Sequence, residues 1–69
     1  MYKEALSDYD QAIKLNPQFP KAYYNRGIVF ILLKNKNKAM EDFKMFLKLA
    51  PNHPTAGKIR RWIRKYGEE

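Results

Sequence analysis

A repeat of 34 residues constrains the fold of this chain more than any other feature of its sequence. Shifting the sequence against itself by that offset aligns residues of the same type at Leu6/Met40, Tyr9/Phe43 and Ile13/Leu47. Self-similarity at a period of about 20–50 residues is the signature of stacked supersecondary units. The identical pairs are Ala5/Ala39, Asp8/Asp42, Lys14/Lys48, Leu15/Leu49, Pro17/Pro51, Pro20/Pro54, Ala22/Ala56 and Arg26/Arg60.

Apolar residues recur at helical spacing in four segments, which predicts helices within residues 1–17, 20–34, 37–50 and 54–67. Proline-bearing joints separate the segments at Asn16-Pro17 and at residues 52–54. Proline has no N–H to donate, and the residue before it is pushed out of the α region. The sequence therefore predicts an all-α fold of four helices, in antiparallel helix-turn-helix repeats that form a fragment of an α-solenoid.

The apolar run over residues 28–33 also fits a buried strand, because it is rich in β-branched and aromatic residues. We favour a helix, since no partner strand is evident, the flanks are helical and residues 20–34 have helix length. After Gly27 this segment is apolar on all sides, which predicts that it is covered all round.

These residues resemble the tetratricopeptide repeat family, whose pattern runs W-x2-L-G-x2-Y, then A-x3-F, then P. The resemblance implies that small residues lie where paired helices cross closely and that aromatic residues fill the space between them. The matching residues are Tyr23, Gly27, Phe30, Ala39, Phe43 and Pro51 in the central copy, and Ala5, Tyr9, Ala12 and Pro17 in a partial first copy.

The chain departs from the family pattern at several places. Arg26 occupies a Leu place, and Phe46 occupies a small-residue place, which implies a wider gap or a reshaped neighbour. Residues 34–38 replace a glycine-containing turn, and Asn35 and Asn37 are the residues there that tolerate a left-handed backbone. The last segment resembles a polar-faced capping helix. We thus expect one domain over residues 1–69: 1–17 a second helix of a partial repeat, 20–51 a complete repeat, and 54–67 the cap.

One and a half repeats plus a cap is an incomplete array, since such arrays need about three repeats for a continuous core. The chain has no cysteine and one histidine, which excludes disulfides and cysteine-based zinc sites as a source of stability. Three explanations compete: a fragment of a longer array, self-association, or exchange of helices between two copies. Exchange would fuse the second and third segments through residues 34–38. We expect a homo-oligomer.

The resemblance implies a protein-interaction module that binds a partner peptide on its concave face. Alternatively, self-association or the cap buries the apolar residues of that face. Some family members clamp a C-terminal carboxylate, but only Asn25 matches a clamp place. The predicted concave-face residues are Lys21, Tyr24, Asn25, Ile28, Ile31, Leu32 and Trp62, joined by Lys58 and Ile59.

The chain carries a formal net charge of +7, and its cations are densest in the last segment. With Trp62 and Tyr66 available for stacking, the alternative function is a small basic protein that binds nucleic acid or an anionic surface. We favour a solvated end face, because Ile59, Trp62 and Tyr66 share an apolar stripe that would face the core. The candidate anion-binding residues are Lys58, Arg60, Arg61, Arg64 and Lys65.

The sequence offers little material for catalysis. Ser7 lies on the polar side of an amphipathic segment, and His53 lies in a joint, so no nucleophile, base and orienting group are grouped. We expect no enzyme activity, no catalytic residue, no metal and no cofactor. The longest apolar run has six residues, against about 20 for a membrane helix. No secretory signal is evident, and we expect a cytoplasmic protein without a membrane span.

Overall fold

The computed structural model of the chain describes residues 1–67, which form four helices joined by short turns. The helices are α1 (Tyr2–Leu15), α2 (Pro20–Leu32), α3 (Lys36–Leu49) and α4 (Ala56–Gly67). The predicted all-α fold is confirmed, and the apolar run over residues 28–33 lies in α2 and its C-terminal cap rather than in a strand. The end of the predicted domain, Glu68 and Glu69, lies outside the described residues.

The turn between α2 and α3 differs from the expectation in one respect. Lys34, not an asparagine, adopts the left-handed backbone, with a φ of 61°, and α2 ends at Leu32. Asn35 instead caps α3, because its side-chain oxygen accepts a hydrogen bond of 3.3 Å from the backbone N–H of Lys38. The turn thus separates α2 from α3 in the described chain. A further difference from the prediction is that α4 begins at Ala56 rather than at Pro54.

Helix α2 lies between α1 and α3, and α4 packs on α3. Arg26 pairs with Asp42, and Phe30 lies near Lys38, so α2 and α3 run antiparallel. The helices cross closely at Gly27, where an added Cβ atom would lie 2.7 Å from Phe43 Cε1. The buried core cluster consists of Tyr23, Ala39, Phe43, Phe46 and Ile59.

Phe46 is accommodated by aromatic neighbours rather than by a gap. Its ring centre lies 5.6 Å from that of Tyr24 and 5.3 Å from that of His53, and the side chain is buried. His53 Nδ1 accepts a hydrogen bond of 3.1 Å from the N–H of Thr55. The joint before α4 therefore packs against α3 through this histidine.

Equivalent positions of the repeat differ in burial. Ala39 is 0% exposed and Phe43 is 3% exposed, whereas their counterparts Ala5 and Tyr9 in α1 are only half-buried. No residue of α1 is buried, because α1 has a neighbouring helix on one side only. The expectation that α2 is covered all round is wrong at its C-terminal end, where Leu32 and Leu33 are exposed.

Candidate protein-binding site

Helices α2 and α4 both pack against α3, but within residues 1–67 they do not contact each other through their backbones. A groove therefore runs between α2 and α4. Its volume is about 420 Å³, and it continues past Ile31, Trp62 and Tyr66 into a space of about 240 Å³ beside the α2–α3 turn. We call this surface the α2–α4 groove. It is lined by Tyr24, Ile28, Ile31, Phe43, Lys58, Ile59, Arg61, Trp62, Lys65 and Tyr66.

Helical spacing places the apolar side chains of the groove. Tyr24, Ile28 and Ile31 follow one another at steps of four and three residues and so share one face of α2. On the α4 side, the Trp62 ring lies 5.1 Å from the Phe43 ring in an edge-on contact and 5.2 Å from the Tyr66 ring. The groove therefore has an aliphatic and aromatic floor that the core holds in place.

Three cations of α4 line the same groove. Lys58, Arg61 and Lys65 are spaced by three and four residues and so follow one edge of α4 beside Trp62. These three cations are exposed to solvent and at the same time line the groove beside the apolar stripe. Tyr66 is also partly open to solvent at 40% exposure, instead of facing only the core.

The other two cations of α4 lie elsewhere. An Nη atom of Arg60 donates a hydrogen bond of 2.8 Å to the carbonyl oxygen of Pro51, which ties α4 to the joint after α3. Arg64 is exposed and does not line the α2–α4 groove. The five candidate anion-binding residues therefore do not form one site.

The predicted concave-face residues, except Leu32, fall into two grooves. Tyr24, Ile28, Ile31 and Trp62 lie together in the α2–α4 groove. A second space of about 530 Å³, which we call the Lys21 groove, is lined by Lys21, Tyr24, Asn25, Phe46, His53, Thr55, Phe19 and Pro20. Leu32 lines neither groove and is 53% exposed at the end of α2.

Sequence reasoning missed an ion-pair cluster that joins three helices. Arg26 donates to both carboxylate oxygens of Asp42 at 2.9 and 2.7 Å and to Asp10 at 2.9 Å. Hydrogen bonding to Asp42 raises the pKa of Arg26 above its ordinary value, although partial burial of the guanidinium acts in the opposite direction. The sequence feature that could have indicated this cluster is an equal spacing of 16 residues from Asp10 to Arg26 and from Arg26 to Asp42.

Between Met1 and Gly67, no three His, Asp or Glu side chains are grouped in a way that could hold a metal ion. Within the same stretch, no helix has both the length and the apolar character needed to cross a bilayer. What the grooves offer instead is shaped apolar surface with charged edges, which suits recognition of another chain.

Comparison with known proteins agrees with the geometry. The family model described as "Tetratricopeptide repeat" matches residues 1–64. The chain is 40% identical over 50 residues to the Hsp70-Hsp90 organizing protein of Triticum aestivum, covering 72% of the chain and 9% of that protein. It is 35% identical over 68 residues to anaphase-promoting complex subunit 3 of Schizosaccharomyces pombe, covering 93% of the chain and 10% of that protein.

A third relative is serine/threonine-protein phosphatase T of Aspergillus oryzae, which is 34% identical over 55 residues, 80% of the chain and 12% of that protein. The chain thus spans about a tenth of the length of these curated relatives. No solved structure matches it. The repeat of 34 residues, the close crossing at Gly27 and the family match together show that the chain belongs to the tetratricopeptide repeat family and is a protein-protein interaction module.

Proposed function

We propose that the chain binds a segment of a partner protein in the α2–α4 groove. The observation that carries this proposal is the half-buried row of Tyr24, Ile28 and Ile31 opposite Trp62, above a floor formed by Phe43. Aromatic residues at an apolar centre with charges at the edge are the usual composition of a protein-binding surface.

The names of two relatives support the proposal that the partner is another protein. One has a name that refers to organizing two other proteins, and another is named as a subunit of a complex. The Lys21 groove shares Tyr24 with the α2–α4 groove, so a bound segment would extend from one groove into the other. Lys21 and Asn25 would then contact its end.

Adjacent residues of α2 provide a matched test. Ile31 lines the α2–α4 groove, whereas Leu32 lines neither groove, and both are aliphatic. A displayed library of random peptides is selected on the unaltered chain, and the recovered peptides are synthesised with a fluorescent label and titrated by anisotropy. We expect Ile31→Ser to weaken binding by at least about tenfold, because it removes a buried apolar contact, and Leu32→Ser to leave binding unchanged.

Circular dichroism of both variants establishes that the helices are retained. Equal weakening by Ile31→Ser and Leu32→Ser would contradict the proposed site. Weakening by Lys21→Ala and Asn25→Ala alone would assign binding to the Lys21 groove instead.

Self-association is a second candidate function, favoured by the exposed face of α1. Ala5, Tyr9 and Ala12, which correspond to buried positions of α3, are only half-buried, and Tyr2 at the start of α1 is 45% exposed. We propose that two copies cover this face by pairing through α1, with exchange of helices across Lys34 as the variant form. Light scattering after size exclusion should show a dimer that Tyr9→Lys dissociates, and a monomer at all concentrations up to about millimolar would contradict it.

A further inference from the structure

The two walls of the α2–α4 groove differ in chemistry, and the repeat shows the difference directly. The 34-residue offset places Lys58, Arg61 and Lys65 of α4 on Tyr24, Gly27 and Ile31 of α2. Tyr24 and Ile31 form the apolar wall, and the three cations line the facing edge of the groove. At equivalent positions, therefore, α2 presents apolar groups to the groove and α4 presents positive charges.

These three cations have no carboxylate partner within the described residues. Asp10 and Asp42 pair with Arg26 instead, and no acidic residue among those described lines either part of the groove. Lys65 Nζ lies 5.3 Å from the centre of the ring of Tyr66, which lines the same groove. By contrast, Arg26 and Arg60 are occupied by contacts within the chain.

We propose that the partner segment is acidic and amphipathic, with apolar side chains against α2 and carboxylates against Lys58, Arg61 and Lys65. This inference rests on the proposed function and specifies its ligand. Apolar contacts at the centre supply most of the affinity, and complementary charge at the edge supplies specificity and association rate.

The groove suits a peptide better than a nucleic acid. Binding of single strands depends on aromatic faces on which bases stack. Trp62 is instead packed against Phe43 and Tyr66, and Tyr24 lies 6.1 Å from Phe43 and 5.6 Å from Phe46. The other apolar residues that line the groove are aliphatic, namely Ile28, Ile31 and Ile59, which fits apolar side chains.

The test uses three labelled peptides of equal length that carry leucines on one helical face. The opposite face bears glutamates in the first, glutamines in the second and lysines in the third, and binding to the full chain is measured by anisotropy. We expect the glutamate peptide to bind about five- to tenfold more tightly than the glutamine peptide at low salt, because each exposed ion pair contributes modestly. The lysine peptide should bind most weakly.

Two triple variants that remove the same charge make the comparison specific. Lys58→Gln with Arg61→Gln and Lys65→Gln alters the groove, whereas Lys44→Gln with Lys48→Gln and Arg64→Gln alters exposed cations away from it. The groove variant should bind the glutamate and glutamine peptides equally, and the control variant should keep the preference.

Equal loss of preference in both variants would overturn the inference, because it would then reflect net charge alone. Equal binding of the glutamate and glutamine peptides by the unaltered chain, with loss in Ile31→Ser, would overturn the acidic ligand and leave the proposed groove intact. A third outcome is that none of the three peptides binds, while a labelled single-stranded oligonucleotide binds tightly to the unaltered chain and not to the groove variant. That outcome would overturn both the acidic ligand and the proposed function, and the three cations would then be a nucleic-acid site.

Discussion

Gly27 of α2 and Phe43 of α3 approach so closely that a Cβ atom at residue 27 would lie 2.7 Å from Phe43 Cε1. Phe43 cannot move away easily, because its ring is buried and contacts Trp62 edge-on. The same ring forms the floor of the α2–α4 groove. Helix crossing and groove shape therefore depend on one glycine.

Gly27→Ala should destabilise the chain by about 1 kcal/mol, because overpacking costs about 1–3 kcal/mol and the better helix propensity of alanine offsets about 1 kcal/mol. Gly57→Ala is the matched control, since an added Cβ there meets nothing within 4 Å. It should stabilise by about 0.5 kcal/mol. Urea unfolding followed by circular dichroism measures both, and the same sign for both variants would contradict the close crossing.

Asp42→Asn should cost about 3 kcal/mol, because it leaves the partly buried guanidinium of Arg26 without its bidentate partner. The Asp42 side chain is 5% exposed, whereas that of Asp10, the other partner of Arg26, is 63% exposed. Asp10→Asn should therefore cost less than about 1 kcal/mol. Thermal unfolding of the two variants tests this difference, and equal losses would contradict the assigned geometry.

Tyr23→Phe should cost about 1 kcal/mol, because the buried Tyr23 hydroxyl donates a hydrogen bond of 2.9 Å to the carbonyl oxygen of Pro17. This bond ties the joint after α1 to α2. Tyr24→Phe removes a hydroxyl that makes no such bond within the described chain and serves as the control. If the two variants unfold at the same urea concentration, the hydrogen bond does not contribute to stability.

Lys34→Gly should stabilise the chain by about 1 kcal/mol, because Lys34 holds a φ of 61° that glycine adopts without steric cost. It should also disfavour any form in which α2 and α3 fuse into one rod. Urea unfolding gives the first effect and light scattering the second. A loss of stability would indicate that residue 34 is helical in solution.

The sequence was sufficient to predict the number and type of the helices, because their periodicity and the proline joints are local signals. It was also sufficient to predict that Tyr24, Ile28 and Ile31 share one face of α2. It was insufficient for the turn, where Asn35 is held as a helix cap and the strained backbone falls on Lys34. Local propensity does not determine which of two neighbouring residues bears the strain.

The charge pattern of α4 was the harder prediction. A helical stripe of Ile59, Trp62 and Tyr66 indicated a face toward the core, but the angle at which α4 meets α3 is a tertiary property. In the fold, Lys58, Arg61 and Lys65 line the groove that α4 shares with α2, and Tyr66 is partly exposed. The ion pairs of Arg26 likewise depend on how α1, α2 and α3 pack together. The equal spacing of Asp10, Arg26 and Asp42 along the sequence does not by itself determine that packing.

Binding of an acidic peptide should depend on salt as well as on the groove. The preference for glutamate over glutamine should fall between about 0.1 M and 1 M salt, over which the Debye length shortens from about 10 Å to about 3 Å. Binding of the glutamine peptide should change little, because apolar contacts are not screened. A preference that is constant across this range would contradict an electrostatic origin.

The most direct test of the α2–α4 groove is the fluorescence of Trp62, the one tryptophan of the chain. Trp62 lines the groove and is only half-buried, so a tryptophan-free peptide that fills the groove should shift its emission to shorter wavelength. The titration should saturate with the affinity measured by anisotropy, and Ile31→Ser should weaken it while Leu32→Ser does not. Saturable binding by anisotropy with no change in Trp62 emission would contradict binding in this groove.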